Sequence, residues 1–463
     1  MTAHEGAPVR GARGAATLAA SLVLVEFLAG MQRYLSQTVL PLVAAELDGA
    51  HLYGPLDAAA QAPMFLTMPL GAWLLSRFRV GRLMITLTLV TVAGAVVCAL
   101  APSTAVFLGG TAVRAAAAGA LATVGMGAIG RGLPPRYRQL VLAAMSGVWV
   151  FSSVLGPVYA AGVASTLGWR WAMVLYLPLL LLARLLVARS MPERAEEVPP
   201  EPAPWGWALV LAAGSAVLSL PLGAWWGLAV LAGGGLMVGA AAQILPAGTL
   251  RAPDGRRAAL TALGVTAAVY FGASMVLSVV AHDAFGLPAS RYGFVVAAPG
   301  FCWAVAALWT GSRPAADDAR LRRRAVTAGS SITAGVGVLL ATTLAAGAAG
   351  TALAGLLLGG ALLGAGMGTV YPDLLGRCLA RPEADDGISD DRMASAVVVA
   401  ESVGMALATT AAFAWIGGAG GDAGDALARA RLLYLALLPV AVVMVRRLVA
   451  ASRSAAGRPV ASA

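Results

Sequence analysis

Fourteen apolar stretches, most of them close to 20 residues or longer, follow one another along this chain, separated by arginine, proline or acidic residues. A run of that length forms an α-helix of about 30 Å, the thickness of bilayer hydrocarbon. Hydrocarbon offers no water to backbone N–H and C=O groups, so a spanning segment must satisfy them internally, and a helix does so. The pattern predicts spans at about 16–43, 52–75, 83–102, 105–129, 139–164, 170–190, 206–223, 226–245, 259–282, 291–312, 326–346, 351–378, 393–416 and 429–450. Pro221 and the turn from Gly223 to Trp226 divide the seventh from the eighth within a stretch barely long enough for two crossings, so twelve spans is the alternative count. Only 12% of the residues are charged, where a soluble domain carries about a quarter. The fold class expected is an all-α polytopic membrane protein.

All 32 basic residues are arginine, and lysine is absent. That removes a P-loop, which needs a lysine on the phosphates, and any Schiff-base lysine. His4, His51 and His282, like Cys98, Cys302 and Cys378, are too widely spaced for a zinc site or a disulfide framework. No metal, cofactor or catalytic residue is indicated, and an enzyme is not expected. The pI of about 10.2 raises nucleic acid as a partner. The arginines instead distribute over eight short segments that share one side once the N-terminus is placed inside, with about 26 there, four opposite and two, Arg33 and Arg114, in the membrane. This charge is a topology signal, and no nucleic-acid partner is expected. It places both termini in the cytoplasm of a plasma-membrane protein whose surroundings are the lipid bilayer. The first apolar run is too long for a cleaved signal peptide and is read as a retained helix. The proline- and glutamate-rich stretch 191–205 reads as a hydrated linker. The expected layout is a tail at 1–15, a six-helix bundle at 16–190, the linker at 191–205, a helix pair at 206–245, a second six-helix bundle at 246–450 and a tail at 451–463.

Several motifs together resemble the major facilitator superfamily, and within it the fourteen-helix drug:proton antiporter branch. Gly156-Pro157, then Gly168-Trp169-Arg170-Trp171 and Pro178, resemble that branch's GPxxGG…GWRWxFxxNxP run. Leu40-Pro41, Leu47 and Tyr53 match the end of its first helix and the start of its second. Gly286-Leu287, Gly293, Pro299, Gly364, Gly366, Gly368, Pro372, Ala394-Ser395 and Gly404 match its C-terminal bundle. The stretch from Gly71 to Arg82 is similar to the family's GxxxDRxGRR gating loop, making Gly71 and Arg77, with Gly156 and Pro157, the expected conformational residues. Four departures stand out: Ser76 replaces the loop's aspartate, Ala117 a glutamine after Arg114, Ala160 and Ala161 a glycine pair, and Gln32 the acid usual in helix one. The resemblance implies two six-helix bundles plus an inserted helix pair, alternating access, and export of a small amphipathic compound coupled to protons. A protein that acts as a monomer is the expected form.

Charges at bilayer depth cost several kcal/mol unless they face water or a partner. Glu26 and Arg33 lie seven residues apart, almost on one helical face, with Gln37 one turn further and Gln32 beside it. This polar stripe is expected to face a central cavity. Glu26 either carries coupling protons or only neutralises Arg33 or Arg114. By the resemblance, Arg114 assists proton movement; the alternative is an arginine satisfied by backbone carbonyls. Glu401 is either a second proton site or a hydrated residue at the cytoplasmic mouth. Tyr270 and Ser274 share a face that could line the cavity, and Trp149, Tyr159 and Trp303 either contact an aromatic substrate or pack. Asp57 and His282-Asp283 read as solvated helix ends. The competing functions are proton-independent or inward transport on the same fold, and a non-transporting sensor or assembly protein. The arginine distribution yields a direct expectation. Alkaline phosphatase fused in the loop that contains Gly286 is active, and a fluorescent protein at the C-terminus folds in the cytoplasm; the opposite pattern would invert the topology.

Overall fold

In the computed structural model the described residues are 12–132, 135–190, 205–220, 223–313, 315, 317–345, 349–379, 388, 390–420 and 422–453. They form fourteen helical units: α1 (Ala12–Glu46), α2 (Tyr53–Arg77), α3 (Val80–Ala99), α4 (Thr104–Gly132), α5 (Pro135–Thr166), α6 (Trp169–Ser190), α7 (Trp205–Leu218), α8 (Trp226–Ile244), α9 (Gly255–Ala284), α10 (Ala289–Gly311), α11 (Asp318–Ala345), α12 (Ala349–Leu379), α13 (Asp390–Gly417) and α14 (Ala423–Ala451). Eleven of these are long and apolar enough to cross a membrane among the described residues. The tails at 1–11 and 454–463, the linker at 191–204 and Pro221 lie outside the described residues, as do the side chains of Gly71, Ser76, Trp149, Ala394 and Ser395.

The seventh unit differs from expectation. A span was placed at 206–223, but α7 has 14 residues, about 21 Å of helix and short of the hydrocarbon thickness. α7 and α8 pack on each other and on α2 and α13. Gly54 sits where an added Cβ would lie 2.7 Å from Ala414 and 2.8 Å from the Ser219 carbonyl. Trp226 meets Trp415 with ring centroids 4.8 Å apart. The pair thus covers the seam between α2 and α13.

Two units are interrupted, each for a local reason. In α6 the helical turn Trp169–Ala172 is followed by a non-helical stretch and the helix restarts at Leu177. Pro178 stands at the start of that new helix, where its missing N–H costs nothing. Gly168, with φ +93°, makes the entry turn. The GWRW motif is an anchor at this end: Trp169 Nε1 donates to Glu46 at 2.5 Å, and Arg170 bonds Glu46 at 2.9 Å and the carbonyls of Ala99 and Ala101 at 2.7 and 3.0 Å. In α9 the regular helix stops at Ser274, resumes at Leu277 and closes in a π-turn over Val280–Ala284. The break leaves carbonyls at Ser274 and Met275 available to a neighbour.

Helices α1 to α6 pack mainly among themselves, as do α9 to α14, and the two sets meet along α5 and α10, α2 and α13, and α1 and α9. Glycines set the closest approaches. A Cβ at Gly364 would fall 1.9 Å from the Pro299 carbonyl oxygen, and one at Gly404 2.1 Å from that of Gly264. Gly156 seats α5 on Tyr34 and Met31 of α1, and Gly293 of α10 receives Ala161 beside the Pro157 carbonyl. At the end of the C-terminal set, Asp373 accepts from Arg324 at 2.6 Å and from the Ala315 N–H at 3.0 Å, pinning the α10–α11 turn. Backbone atoms cannot yield as side-chain tips do, so Gly404→Ala and Gly364→Ala are each expected to cost about 1–3 kcal/mol. Gly109→Ala, with nothing within 4 Å of the new methyl, is expected to stay within about 0.5 kcal/mol. Thermal unfolding of the purified variants in detergent checks the contrast.

Candidate functional site

Between the two sets of helices lies a cavity of about 460 Å³. Its polar lining comes chiefly from α1, α2, α4 and α6: Glu26, Arg33, Asp57, Arg114 and Arg184, with Gln32, Ser36, Gln37 and Gln61. Met64, Met68, Phe107, Met173, Met405 and Phe413 contribute apolar wall. The seven-residue spacing does place Glu26 and Arg33 on one face, separated by about 10 Å along α1.

One end of the cavity is closed by hydrogen bonds between the two sets. Gln37 Nε2 donates to the carbonyls of Ser274 and Met275, both at 3.0 Å, and Ser278 Oγ donates back to the Gln37 carbonyl at 2.8 Å. Tyr292 OH donates to the Thr38 carbonyl at 3.0 Å, and Tyr53 OH to Asp283 Oδ2 at 2.8 Å. Asp57 Oδ2 accepts from Thr410 at 2.6 Å and Thr409 at 3.3 Å. All of these lie toward the turn between α1 and α2. Interhelical bonds in membranes average about 0.6 kcal/mol, so the seven together hold this end shut with roughly 4 kcal/mol. That is the scale of an equilibrium a ligand or a proton can reverse.

The charged groups fall into three neighbourhoods. Arg33 contacts the Met405 sulfur, lies 5.5 Å from the Phe271 ring centroid, and is the cation whose field reaches both Asp57 and Glu401. Glu401 accepts from Tyr371 OH at 3.0 Å and sits beside the cavity-lining Ser402 without itself lining the cavity. The carboxylate of Glu26 lies in the field of Arg184, a buried arginine of α6 that lines the cavity and reaches Met84 Sδ at 3.4 Å. Arg114 donates from Nη2 to Ser36 Oγ at 3.0 Å.

Several expectations change. The arginine distribution left only Arg33 and Arg114 in the membrane and so put Arg184 among the cytoplasmic arginines; α6 runs on to Ser190 and carries it about 9 Å inside the helix end. The signal was present, since three apolar or small residues flank Arg184 on each side. The cation beside Glu26 is therefore Arg184, in place of the Arg33 or Arg114 considered from sequence. Asp57 and Asp283, read as solvated ends, are instead tied across the interface, Asp283 also bonding His282 Nδ1 at 2.7 Å. Only the tertiary pairing of α2 with α13, for Asp57, and with α9, for Asp283, could reveal that. Tyr270 is fully packed in an aromatic cluster with Phe271, Trp303 and, through Trp303, Tyr371, and does not line the cavity. Ser274 is buried beside it and offers the interface its carbonyl, because the break in α9 freed that group. Tyr159 bonds the Ala172 carbonyl at 3.3 Å and joins α5 to α6 away from the cavity. Arg77 is exposed at the end of α2.

The Gln37 lock gives a measurable consequence. Removing its amide deletes two of the seven bonds, about 1.2 kcal/mol. In a cysteine-free background, Gln37→Ala is expected to raise the rate at which an impermeant maleimide, added on the α1–α2 side, labels Leu56→Cys by close to an order of magnitude.

Comparison with known proteins places this arrangement. Residues 22–372 match the Major Facilitator Superfamily. "Efflux pump FUS6" of Gibberella moniliformis is 28% identical over 161 residues, 34% of this chain and 28% of that protein. "Multidrug efflux pump SdrM" of Staphylococcus aureus is 22% identical over 169 residues, 36% of this chain and 37% of that protein. "Multidrug export protein EmrB" of Haemophilus influenzae is 22% identical over 186 residues, 40% and 36%. The matched stretch thus spans little more than a third of these relatives at most. Among solved structures, a bacterial homologue of the human lysosomal transporter Spinster, inward-facing and unoccupied, superposes with a TM-score of 0.64 at 12% identity, covering 96% of this chain and 98% of that one. A peptide transporter, POT, gives 0.61 at 16% identity over 93% and 95%. The likeness to these structures is one of fold. The sequence match, the two helix sets and the cavity between them agree, and the chain belongs to the Major Facilitator Superfamily of transporters.

Proposed function

We propose that this protein is a proton-coupled exporter of a small amphipathic compound, working by alternating access across the plasma membrane with both termini in the cytoplasm. The observation that carries the reading is the seal at the α1–α2 end. Seven hydrogen bonds close the α1–α2 end over a cavity that holds Glu26, Arg33 and Arg114. With the termini inside, the sealed end faces outward and this is the inward-facing state. The efflux pumps similar to part of the chain support the same direction.

In this reading a proton entering from outside is held at Glu26. Its carboxyl faces the cavity opposite Arg184, so protonation changes the local charge from a compensated pair to a lone cation and alters the balance between the two states. Arg33, two turns further along the same face of α1, reaches a carboxylate of each set of helices, Asp57 and Glu401, with its field. Glu401 then serves as a second proton site, in the field of Arg33. Rocking would break the Gln37 and Asp57 bonds and open the outer face.

Purified protein in liposomes with an imposed pH gradient tests this with a panel of amphipathic dyes. Wild type is expected to move a dye against its gradient only when protons run the other way. Glu26→Gln is expected to lose that uphill movement, a fall of about a hundredfold or more in coupled rate, while still binding dye. Uphill transport at the wild-type rate in Glu26→Gln would remove Glu26 from the coupling step. Transport indifferent to the gradient would favour the proton-independent alternative, which Gln32 in place of an acid also suggests.

A further inference from the structure

The charges lining the cavity do not cancel. Asp57 lies in the field of Arg33 and is held by Thr409 and Thr410, and Glu26 lies in the field of Arg184. None of the three arginines forms an ion pair among the described residues, and Arg114 is the one whose field reaches Cys98 and Tyr176 and no carboxylate. Its side chain is 93% buried, at 7% exposure. Nη2 is used by Ser36, while Nε and Nη1 are enclosed with no hydrogen-bond partner. Its stem is clamped where α3 crosses α4: a Cβ on Gly94 would fall 2.9 Å from Arg114 Cγ. Tyr176, whose buried hydroxyl also lacks a partner, is an electrostatic neighbour of the same guanidinium.

A buried cation with unmet donors is costly, and a guanidinium is always charged, so it cannot escape the cost by losing its proton. What it lacks is an anion. Two adjacent N–H edges of a guanidinium match the two oxygens of a carboxylate or sulfonate in a bidentate pair. The same cavity is lined by Thr111, one turn before Arg114 on α4, and by the apolar side chains of Phe107 and Met173.

We propose that Arg114 docks the anionic group of the transported compound, so that the substrates are amphipathic organic anions whose apolar bodies lie along the methionine- and phenylalanine-lined wall. This rests on the cavity being the transport site, as in the export reading, and assigns its substrate class. The anion completes Arg114 on loading, and the two carboxylates, each in the field of another arginine, stay where they are. Glu26 and Asp57 then exclude dianions more than they oppose a monoanion.

The test separates the anion site from export itself. Full-length protein in nanodiscs is titrated with three probes that share one apolar body: naphthalene-2-sulfonate, the neutral 2-naphthylmethanol and 2-naphthyltrimethylammonium, read by isothermal calorimetry. Wild type is expected to bind the sulfonate at least about tenfold more tightly than either of the others. Arg114→Gln is expected to bring that ratio to about one, and Arg114→Lys to keep part of it. Equal or tighter binding of the neutral or cationic probe to wild type overturns the proposal, as does failure of all three to bind, or a preference that survives Arg114→Gln. Should the Gln variant not fold, the wild-type order alone decides. If the sulfonate preference holds but no probe moves under a pH gradient in liposomes, the anion site stands and the export reading falls. If the cationic probe is exported and preferred, export stands and the anion site falls.

Discussion

The amide of Gln37 on the carbonyls of Ser274 and Met275 is the contact on which the shape of this molecule depends. In hydrocarbon a freed carbonyl must find a donor. The break in α9 frees two, and α1 supplies one side chain that reaches both. The same helix face carries Arg33 and Glu26 further in. The element that closes one end therefore also places the charges at the bottom of the cavity, and movement of either is felt by the other.

The charges form an ordered set. Arg33 stands at the interface, in the field of one carboxylate from each set of helices. Glu26 lies in the field of Arg184, and both line the cavity. Arg114 is fixed on the N-terminal wall by close packing of α3 on α4 at Gly94. In the export reading, a proton on Asp57 or Glu401 changes the field around an arginine that both carboxylates share, and so can bias the equilibrium between two states.

Most of the chain's architecture was legible beforehand because helix-length apolar runs have few other uses. The length and placement of α3 and α10 followed from hydropathy alone, whereas α1 and α14, with 35 and 29 residues, run past their apolar stretches at 16–43 and 429–450. Short α7 did not, since hydropathy cannot tell a 14-residue helix from a full span when a proline divides the run. Arg184 was misplaced because an arginine near a helix end looks the same in sequence whether it snorkels to water or turns inward. Tyr270 and Ser274 shared a face, as their spacing required, but that face met Trp303 and α1 and was filled.

By itself the sequence determined that the backbone had to be helical and membrane-spanning, because apolar length and the absence of water leave no other way to satisfy it. It also determined the polar stripe of Glu26, Arg33 and Gln37, since helical period alone aligns them. Only the tertiary structure decided which charges meet. It set Arg184 near Glu26, Thr410 on Asp57, and left two enclosed donors of Arg114 without a partner, because those relations join residues on different helices and depend on how closely glycine lets the helices pack.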